Sequence, residues 1–550
     1  MVTEIELKYS LLENNDLAPV KQIKATICQL LAEHNLSFVQ QDMQLSNHYF
    51  DTPSLTLRQQ KIALRTRGTK CQGEEEHFEQ TIKTSGSVIA GLHQRPEYNV
   101  DIEDAKPILA LFSTTLWSTD SDIEQLQQEV IEIFSTHFSR YTWLVTLDHA
   151  LVEIALDCGE IACQDHANKP RIYEIELELV SGDTQALFVL TKLLFSQLAL
   201  RPGQLTKAAR GYALYHESLA AGPNLENNAV MNDTIVEPIA LTMIDFPQDS
   251  SLDSAFNQGI EFSLTQLQLG VDSYVEAPSL TKLGKISELL ALLRQGFWLF
   301  NELFTEQKSA DEQLPSEHLS LAPQALRSEL SYFIRTIHWV DNARYIQALT
   351  NKQSSSQKAA SVNQELITKL QLAQQRYPDE AQVLALLHSE RFNNLQLDLL
   401  SLLLKSKTAR MVKTQQSLPL FEFAAKHLSN STQLLTDQLA KLQKPQNLSS
   451  TELYLTAHSL LIRSLLTTSW FSCLFAEPQS NRVKRFSTPW LDIKQGISEL
   501  QSLQLLQQQL VQLPNPEIKL LAWLTNKSEN LITALDQSRA KALTMQPYWP

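Results

Sequence analysis

Glu4, Glu6 and Lys8 stand at every second position, with Ile5 and Leu7 between them. An extended strand would therefore carry two carboxylates and an ammonium group on one face and apolar side chains on the other. Such a charged face usually meets water. The pattern recurs, however: Glu174, Glu176 and Glu178 alternate with Ile175, Leu177 and Leu179, Arg65 lies two from Arg67, Lys83 closes Thr81-Ile82-Lys83, and Arg95 lies two from Glu97. Arg140, Asp148, Glu153 and Asp157 follow on or beside later strands. Carboxylates on two strands and cations on others suit the inside of a closed barrel, where charges are costly without a guest that carries both signs. A metal-bound polyphosphate is such a guest. Glu4, Glu6, Glu174 and Glu176 suit Mg²⁺ or Mn²⁺, hard ions that take oxygen ligands. Arg65, Arg67 and Lys83 suit phosphate oxygens, through a guanidinium fork or an ammonium point charge. The chemistry that follows is phosphoryl transfer, which chiefly needs positioning and charge neutralisation.

The elements that must hold these residues fall within residues 1–216, where period-2 stretches alternate with helical ones. Strands are expected at 4–11, 48–50, 62–67, 77–83, 95–100, 141–147, 151–163 and 171–180, and amphipathic helices at 20–34 and 185–198. Eight strands approach the number that closes a small barrel, and the helices would cover its apolar exterior. Residues 217–238 include a polar, turn-rich stretch that reads as a linker. Over 239–550 Leu and Gln dominate, and helical periods succeed one another at 285–304, 323–349, 381–405, 449–475 and 492–511. That run predicts an all-α helical bundle.

The net charge of -15 argues against a general binder of nucleic acid or anionic membranes, which need a broad basic footprint. Cys28, Cys71, Cys158, Cys163 and Cys473 are scattered and form no Cys-x-x-Cys pair, which suits reduced thiols in a cytoplasm. The acidic start lacks the apolar segment of a signal peptide, and the apolar run 395–404 contains Asp398 and falls short of membrane thickness. A soluble cytoplasmic protein is expected. Neither a Gly-x-x-x-x-Gly-Lys loop nor a Gly-x-Ser-x-Gly elbow is present. His48, His77, His93, His149 and His166 are isolated, which favours structural roles for them.

Taken in order, Glu4-Ile5-Glu6-Leu7-Lys8, Tyr49-Phe50-Asp51-Thr52, Leu64-Arg65-Thr66-Arg67, Thr81-Ile82-Lys83, Arg95-Pro96-Glu97, Glu174-Ile175-Glu176-Leu177-Glu178 and Lys207-Ala208-Ala209-Arg210-Gly211-Tyr212 resemble the CYTH superfamily. These are the triphosphate tunnel metalloenzymes, which include inorganic triphosphatases, thiamine triphosphatase and class IV adenylyl cyclase. The resemblance implies an α+β domain with a closed antiparallel eight-stranded β-barrel that binds a triphosphate and depends on divalent metal. It implies Glu4, Glu6, Glu174 and Glu176 as metal ligands, Asp157 near the metal and Glu178 at the tunnel edge. Which two of Glu174, Glu176 and Glu178 bind metal stays open. It also implies that Lys8, Arg65, Arg67, Lys83, Arg95, Arg140 and Lys207 hold phosphate oxygens. Glu97 would order the basic side chains or position metal water, and Lys8 would activate or orient the attacking water.

Residues 239–550 resemble a CHAD domain, with Pro489-Trp490-Leu491-Asp492, Gly496-Ile497 and the ending over 535–549 as support. The order resembles bacterial CYTH–CHAD fusions that hydrolyse inorganic triphosphate to pyrophosphate and phosphate. CHAD helices usually present a His and repeated Arg and Lys to polyphosphate. Here 283–300 has Gly284 and Ser287 at the expected His and first Arg and keeps only Lys285 and Arg294, while 454–471 keeps His458 and Arg463. That thinning weakens the expectation of polyphosphate binding. The leading expectation is a metal-dependent inorganic triphosphatase. The competing readings are an organic triphosphate enzyme and a non-catalytic polyphosphate scaffold.

Overall fold

The structure is a computed structural model that describes residues 2–11, 20–71, 73–89, 91–117, 122–164, 166–203, 205–220, 241–247, 249–305, 323–354, 368, 372, 374–408, 419–440, 450–476, 481–511 and 518–550. It divides into two compact units, Met1–Asp233 with Ala385–Leu400, and Thr234–Leu384 with Ser401–Pro550.

The first unit is built on one antiparallel sheet of ten strands: β1 Val2–Leu11, β2 Ser37–Asp51, β3 Ala63–Cys71, β4 His77–Lys83, β5 Ser87–Ile89, β6 Leu92–Ile102, β7 Ile131–Leu147, β8 Ala150–Ala162, β9 Arg171–Ser181 and β10 Leu200–Pro202. Its order is β10-β1-β9-β8-β7-β2-β3-β4-β6-β5, and β1 also pairs with β6. That pairing closes an eight-stranded barrel, with β5 and β10 as short additions to its rim strands.

The eight strands expected from alternation are the eight that close, but two run much further. The strand expected at 48–50 extends back to Ser37, and the one expected at 141–147 begins at Ile131. The early half of β2 is exposed on both faces, so it lacks the apolar alternation by which a half-buried strand is read.

Outside the barrel, the apolar partners of the charged positions are covered. Leu7 and Tyr9 of β1, Ile175 and Leu177 of β9, and Ile154 and Leu156 of β8 are buried. Helix α1, Val20–Glu33, presents Ile23, Ile27, Leu30 and Leu31 as one stripe, the spacing of a helix face. Four residues, Thr56–Gln59, form the single turn α2, and Ile123–Glu129 forms α3. Gln185–Phe195 forms α4, which packs on β8 and β9, and Phe195 meets Tyr9 edge to face at 5.1 Å. On the other side Leu64 and Ile82 pack with Leu57, Leu109, Phe112, Trp117 and Leu126. Each fully buried side chain of this kind contributes about 1.5–3 kcal/mol.

Helix α5, Lys207–Ala220, packs on β7 and β8 and carries Tyr212 into an apolar cluster with Tyr49, Phe134 and Phe138. A Cβ at Gly211 would lie 2.1 Å from the Phe134 ring, so only glycine permits this approach. Asp51, at the end of β2, accepts backbone N–H bonds from Thr52, Leu57 and Arg58 and the Tyr212 hydroxyl at 3.3 Å, tying α2 and α5 to the barrel. Of the expected linker, 217–220 continue α5, and 221–238 lie outside the described residues.

The second unit is helical, and among its described residues no strand occurs. Leu252–Glu276 packs on Leu280–Leu299, Leu420–Ala440 on Ser450–Phe471, and Arg482–Val511 on Ile518–Leu543. The helix expected at 323–349 is two helices, Pro323–Thr336 and Val340–Ser354. Fully buried Trp470 donates its indole N–H to the Leu292 carbonyl at 3.0 Å and packs where Gly259 and Gly296 leave no room for a Cβ. Among the described residues no helix is long and apolar enough to cross a membrane.

Candidate active site

Residues paired across neighbouring strands share a face, so the register shows what the barrel encloses. Ser10, Glu174, Asp157 and Arg140 follow one another across β1, β9, β8 and β7. One level along come Lys8, Glu176, Ala155 and Thr142, and then Glu6, Glu178 and Glu153. Where the barrel closes, Glu6 faces His93 and Glu4 faces Arg95. Glu97 then pairs with Lys83, Thr81 with Arg65, and Arg67 with Asn47. Lys8, Glu6, Arg65, Asp157, Glu174, Glu176 and Lys207 are all buried, so the charged face of β1 points inward.

Two charge networks fill this interior. In the first, Lys207 enters from the start of α5, with its ammonium 2.6 Å from Asp157, 2.5 Å from Glu174 and 2.9 Å from Glu176. Arg140 forks onto Asp157 through Nε and Nη2, both at 2.7 Å, and its Nη2 reaches Glu176 at 2.6 Å. Lys8 pairs with Glu176 and lies 3.5 Å from Glu174. In the second network Lys83 contacts both Glu4 oxygens, at 2.8 and 2.7 Å, and Glu97 at 3.5 Å. Arg65 lies 3.5 Å from Glu97 and donates to Thr81 at 3.1 Å, and Arg67 donates to Asn47 at 2.8 Å. Half-buried Arg95 has no ion pair among the described residues.

These contacts set the charge states. Burial pushes the Glu176 carboxyl up, but Lys207, Lys8 and Arg140 together outweigh it and hold it well below the usual carboxylate range. Asp157 is lowered in the same way, burial being overcome by Arg140 and Lys207. Lys8 is raised well above the ordinary ammonium value, because Glu174, Glu176 and Glu6 more than offset its burial. Two residues further along β9 the balance reverses. Burial, reinforced by Glu4, Glu6 and Glu153, pushes Glu178 up to about 7. Glu6 and Glu153 are also raised, first by burial. Arg67 is lowered to about 10 by burial and by Arg65 and Arg140.

The oxygen atoms of Asp157, Glu174 and Glu176 lie within 4.8 Å of one another, and all three residues are buried. This all-oxygen donor set fits a hard divalent cation. Glu4, Glu6 and Glu178 do not join that trio. They occupy the next levels of the same inner face, where mutual repulsion likewise favours a cation. Asp148 is not in the interior, since it sits in the β7–β8 turn at φ 51°.

His93, Thr81 and Asn47 are interior residues that were not expected to act, and Glu153, noted among the charged positions but given no role, joins them there. Strand parity was the available signal: His93 lies two before Arg95, Thr81 two before Lys83, and Glu153 four before Asp157.

In the second unit, half-buried Arg294 has Arg463, Arg335 and Arg327 as its charged neighbours, and they lower it after burial does. Arg463 also lies over the Trp298 ring, 4.8 Å from its centre. Gly284, at an expected His position, leaves space that Arg344 occupies, with Nη1 2.9 Å from where a Cβ would stand.

Residues 3–212 match the CYTH domain family. An inorganic triphosphatase of Haemophilus influenzae is 36% identical over 216 residues, which cover 39% of this chain and 55% of that protein. The chain thus spans about half the length of this curated relative. Among solved structures, a Hippeastrum protein named for adenylyl cyclase and described with a dominant triphosphatase activity is 16% identical, with TM-score 0.27, over 38% of this chain and 95% of that one. A CHAD domain of Ricinus communis is 16% identical, with TM-score 0.40, over 56% of this chain and 97% of that one. The match to the CYTH domain thus spans the N-terminal barrel, and a helical unit follows it along the chain.

Proposed function

We propose that the barrel within residues 1–216 hydrolyses inorganic triphosphate to pyrophosphate and phosphate with the help of Mg²⁺ or Mn²⁺. The observation that carries this reading is the enclosed inner face itself, which holds carboxylates and cations together in two networks. The 36% identity to an inorganic triphosphatase supports the choice of substrate. Asp157, Glu174 and Glu176, with Glu4, Glu6 and Glu178, would hold the metal, which when bound neutralises phosphate charge and lowers the pKa of water.

The chain's own cations do the rest. Lys8, Arg65, Lys83, Arg140 and Lys207 exchange carboxylate partners for phosphate oxygens, Arg67 and Arg95 add their guanidinium groups, and together they hold the triphosphate extended. Lys8 orients the attacking water as a hydrogen-bond donor, since its carboxylate neighbours keep it protonated. The water attacks the terminal phosphorus, its proton leaves to solvent, and the bond to the bridging oxygen breaks to release pyrophosphate. Glu97, 3.5 Å from both Arg65 and Lys83, orders these two donors. The protein works in a cytoplasm, a location supported by its five free cysteines.

Purified full-length protein with inorganic triphosphate and Mg²⁺ or Mn²⁺ should release phosphate far above a Glu4→Ala, Glu6→Ala control. No release above that control overturns the hydrolase reading. Faster turnover of ATP or thiamine triphosphate would replace inorganic triphosphate as the substrate.

A second reading concerns the CHAD-like region 239–550, where Arg294, Arg327, Arg335 and Arg463 come together from three helices. Clustered arginines favour a polyanion, so this unit would bind polyphosphate. Long-chain polyphosphate binding that survives Glu176→Gln but falls with Arg294→Ala supports it. Binding unchanged by Arg294→Ala sinks it.

A further inference from the structure

His93 is 2% exposed, and neither ring nitrogen has a hydrogen-bond partner. Its register opposite Glu6, with Arg95 next on the same face, places the ring on the inner side of the barrel. Leaving a buried polar atom without a partner is costly, and this residue leaves two. A core histidine retained only for packing would have at least one partner, as buried polar groups generally do. Both nitrogens are instead available to something that enters the barrel.

The surroundings define that guest. Lys8, Arg95 and Lys83 are the cations around the buried His93 ring. A neutral imidazole offers one N–H donor and one acceptor. Among cations that already repel one another, a neutral donor adds a contact to an anion without adding positive charge. The nearby Lys8, Arg95 and Lys83 are cations suited to phosphate oxygens, so the N–H faces the same class of acceptor.

We propose that His93 is a substrate-positioning residue whose imidazole donates one N–H to an oxygen of the bound triphosphate between Lys8 and Arg95. The inference rests on the triphosphate reading of the barrel and adds a contact to it. An amide side chain can replace the donor, whereas an apolar one of similar size cannot. Leu at this position would also remove two unsatisfied buried atoms, so the empty protein should be no less stable.

The test uses the full-length protein and its His93→Gln and His93→Leu variants. Calorimetric titration with inorganic triphosphate in EDTA gives affinity, and thermal melting without ligand gives stability. Leu should weaken binding about 10- to 100-fold, the span for a hydrogen bond to a charged group, with an unchanged or higher melting temperature. Gln should stay within about threefold of the parent. Equal affinity of His93→Leu and the parent overturns the proposal, as does a fall in melting temperature that parallels the loss of binding. Loss of Mn²⁺ binding in His93→Leu, measured without triphosphate, would make the ring a metal ligand and overturn it too. If the parent protein binds no triphosphate, the reading of the barrel fails first, whereas a parent that binds as well as His93→Leu defeats only the role of His93.

Discussion

In the helical unit the large, fully enclosed side chains include Trp470, Phe297, Phe300 and Phe471, whereas the buried side chains inside the barrel include Asp157, Glu174, Lys8 and Lys207. Both units use amphipathic elements, yet they turn them in opposite directions. The helical unit puts apolar faces together and leaves charges outside, the arrangement the hydrophobic effect favours directly. The barrel sends its apolar faces outward under α1 and α4 and closes its charged faces on one another. Burying charge in this way is affordable only where each group is compensated, so the interior depends on pairs rather than on area. The same contrast appears on one strand: Glu176 is held ionised by three cations, while Glu178, facing carboxylates, is pushed up to about 7.

The contrast breaks most severely at Glu176. Glu176→Gln leaves Lys8, Arg140 and Lys207 short of a countercharge, so stability should fall by about 3–5 kcal/mol. Triphosphate hydrolysis should drop about a hundredfold or more, because these cations lose their arrangement. Denaturant unfolding and phosphate release measure the two effects, and a variant with parental values of both would contradict the compensated-interior picture.

Trp470→Ala tests the other unit. Truncating this fully buried ring should cost about 3–5 kcal/mol in the unfolding of the helical unit. Triphosphate turnover by the folded variant should remain at the parental rate. An equal loss of turnover would show that the apolar core and the charged interior do not act separately.

Glu178 gives the contrast a pH signature. Its carboxyl moves from an ordinary 4.5 to about 7 on folding, so between these values the native state binds more protons than the unfolded one. The stabilisation present below about pH 4.5 is therefore lost as pH rises towards 7. In metal-free protein, Glu178→Gln should remove this slope and raise stability at pH 8 by about 3 kcal/mol. A variant whose pH dependence matches the parent would show that Glu178 is not crowded by Glu4, Glu6 and Glu153.

The smallest effect is local to the helical unit. Ser251 accepts the Ser254 N–H at 3.2 Å and caps helix Leu252–Glu276, so Ser251→Ala should cost about 1 kcal/mol. Unlike the barrel substitutions, it should leave both pH dependence and triphosphate turnover unaltered.

Alternation made much of the barrel readable. β4 was expected at 77–83 and occupies His77–Lys83, and β9 was expected at 171–180 and occupies Arg171–Ser181. The first half of β2 was not readable, because residues exposed on both faces carry no apolar period, and neither was the start of β7, where Ile133, Phe134, Ser135 and Thr136 are buried on both faces. Helix Leu252–Glu276 escaped for the reverse reason, since Gly259, Ser263 and Gln268 are buried on its packed face and blur the stripe. In the site, charged positions two apart were visible in the chain. The pairing of Lys83 with Glu4, 79 residues away, and of Lys207 with three carboxylates on two strands was not. His93 carried too weak a signal, because a single histidine in a strand looks the same whether it fills a core or faces a ligand.

What the sequence determined by itself is the division of each strand into a charged and an apolar face, because side chains alternate whatever the strand packs against. It also determined that helices follow the barrel, through the change of period beyond residue 239. Only the tertiary structure decided which face is inside. A strand's two faces are locally equivalent, and the distinction arises when β1 pairs with β6 while α1 and α4 cover the outer side. Closure also decided which charges meet, since ion pairs depend on distances of a few ångströms between residues that the chain keeps far apart.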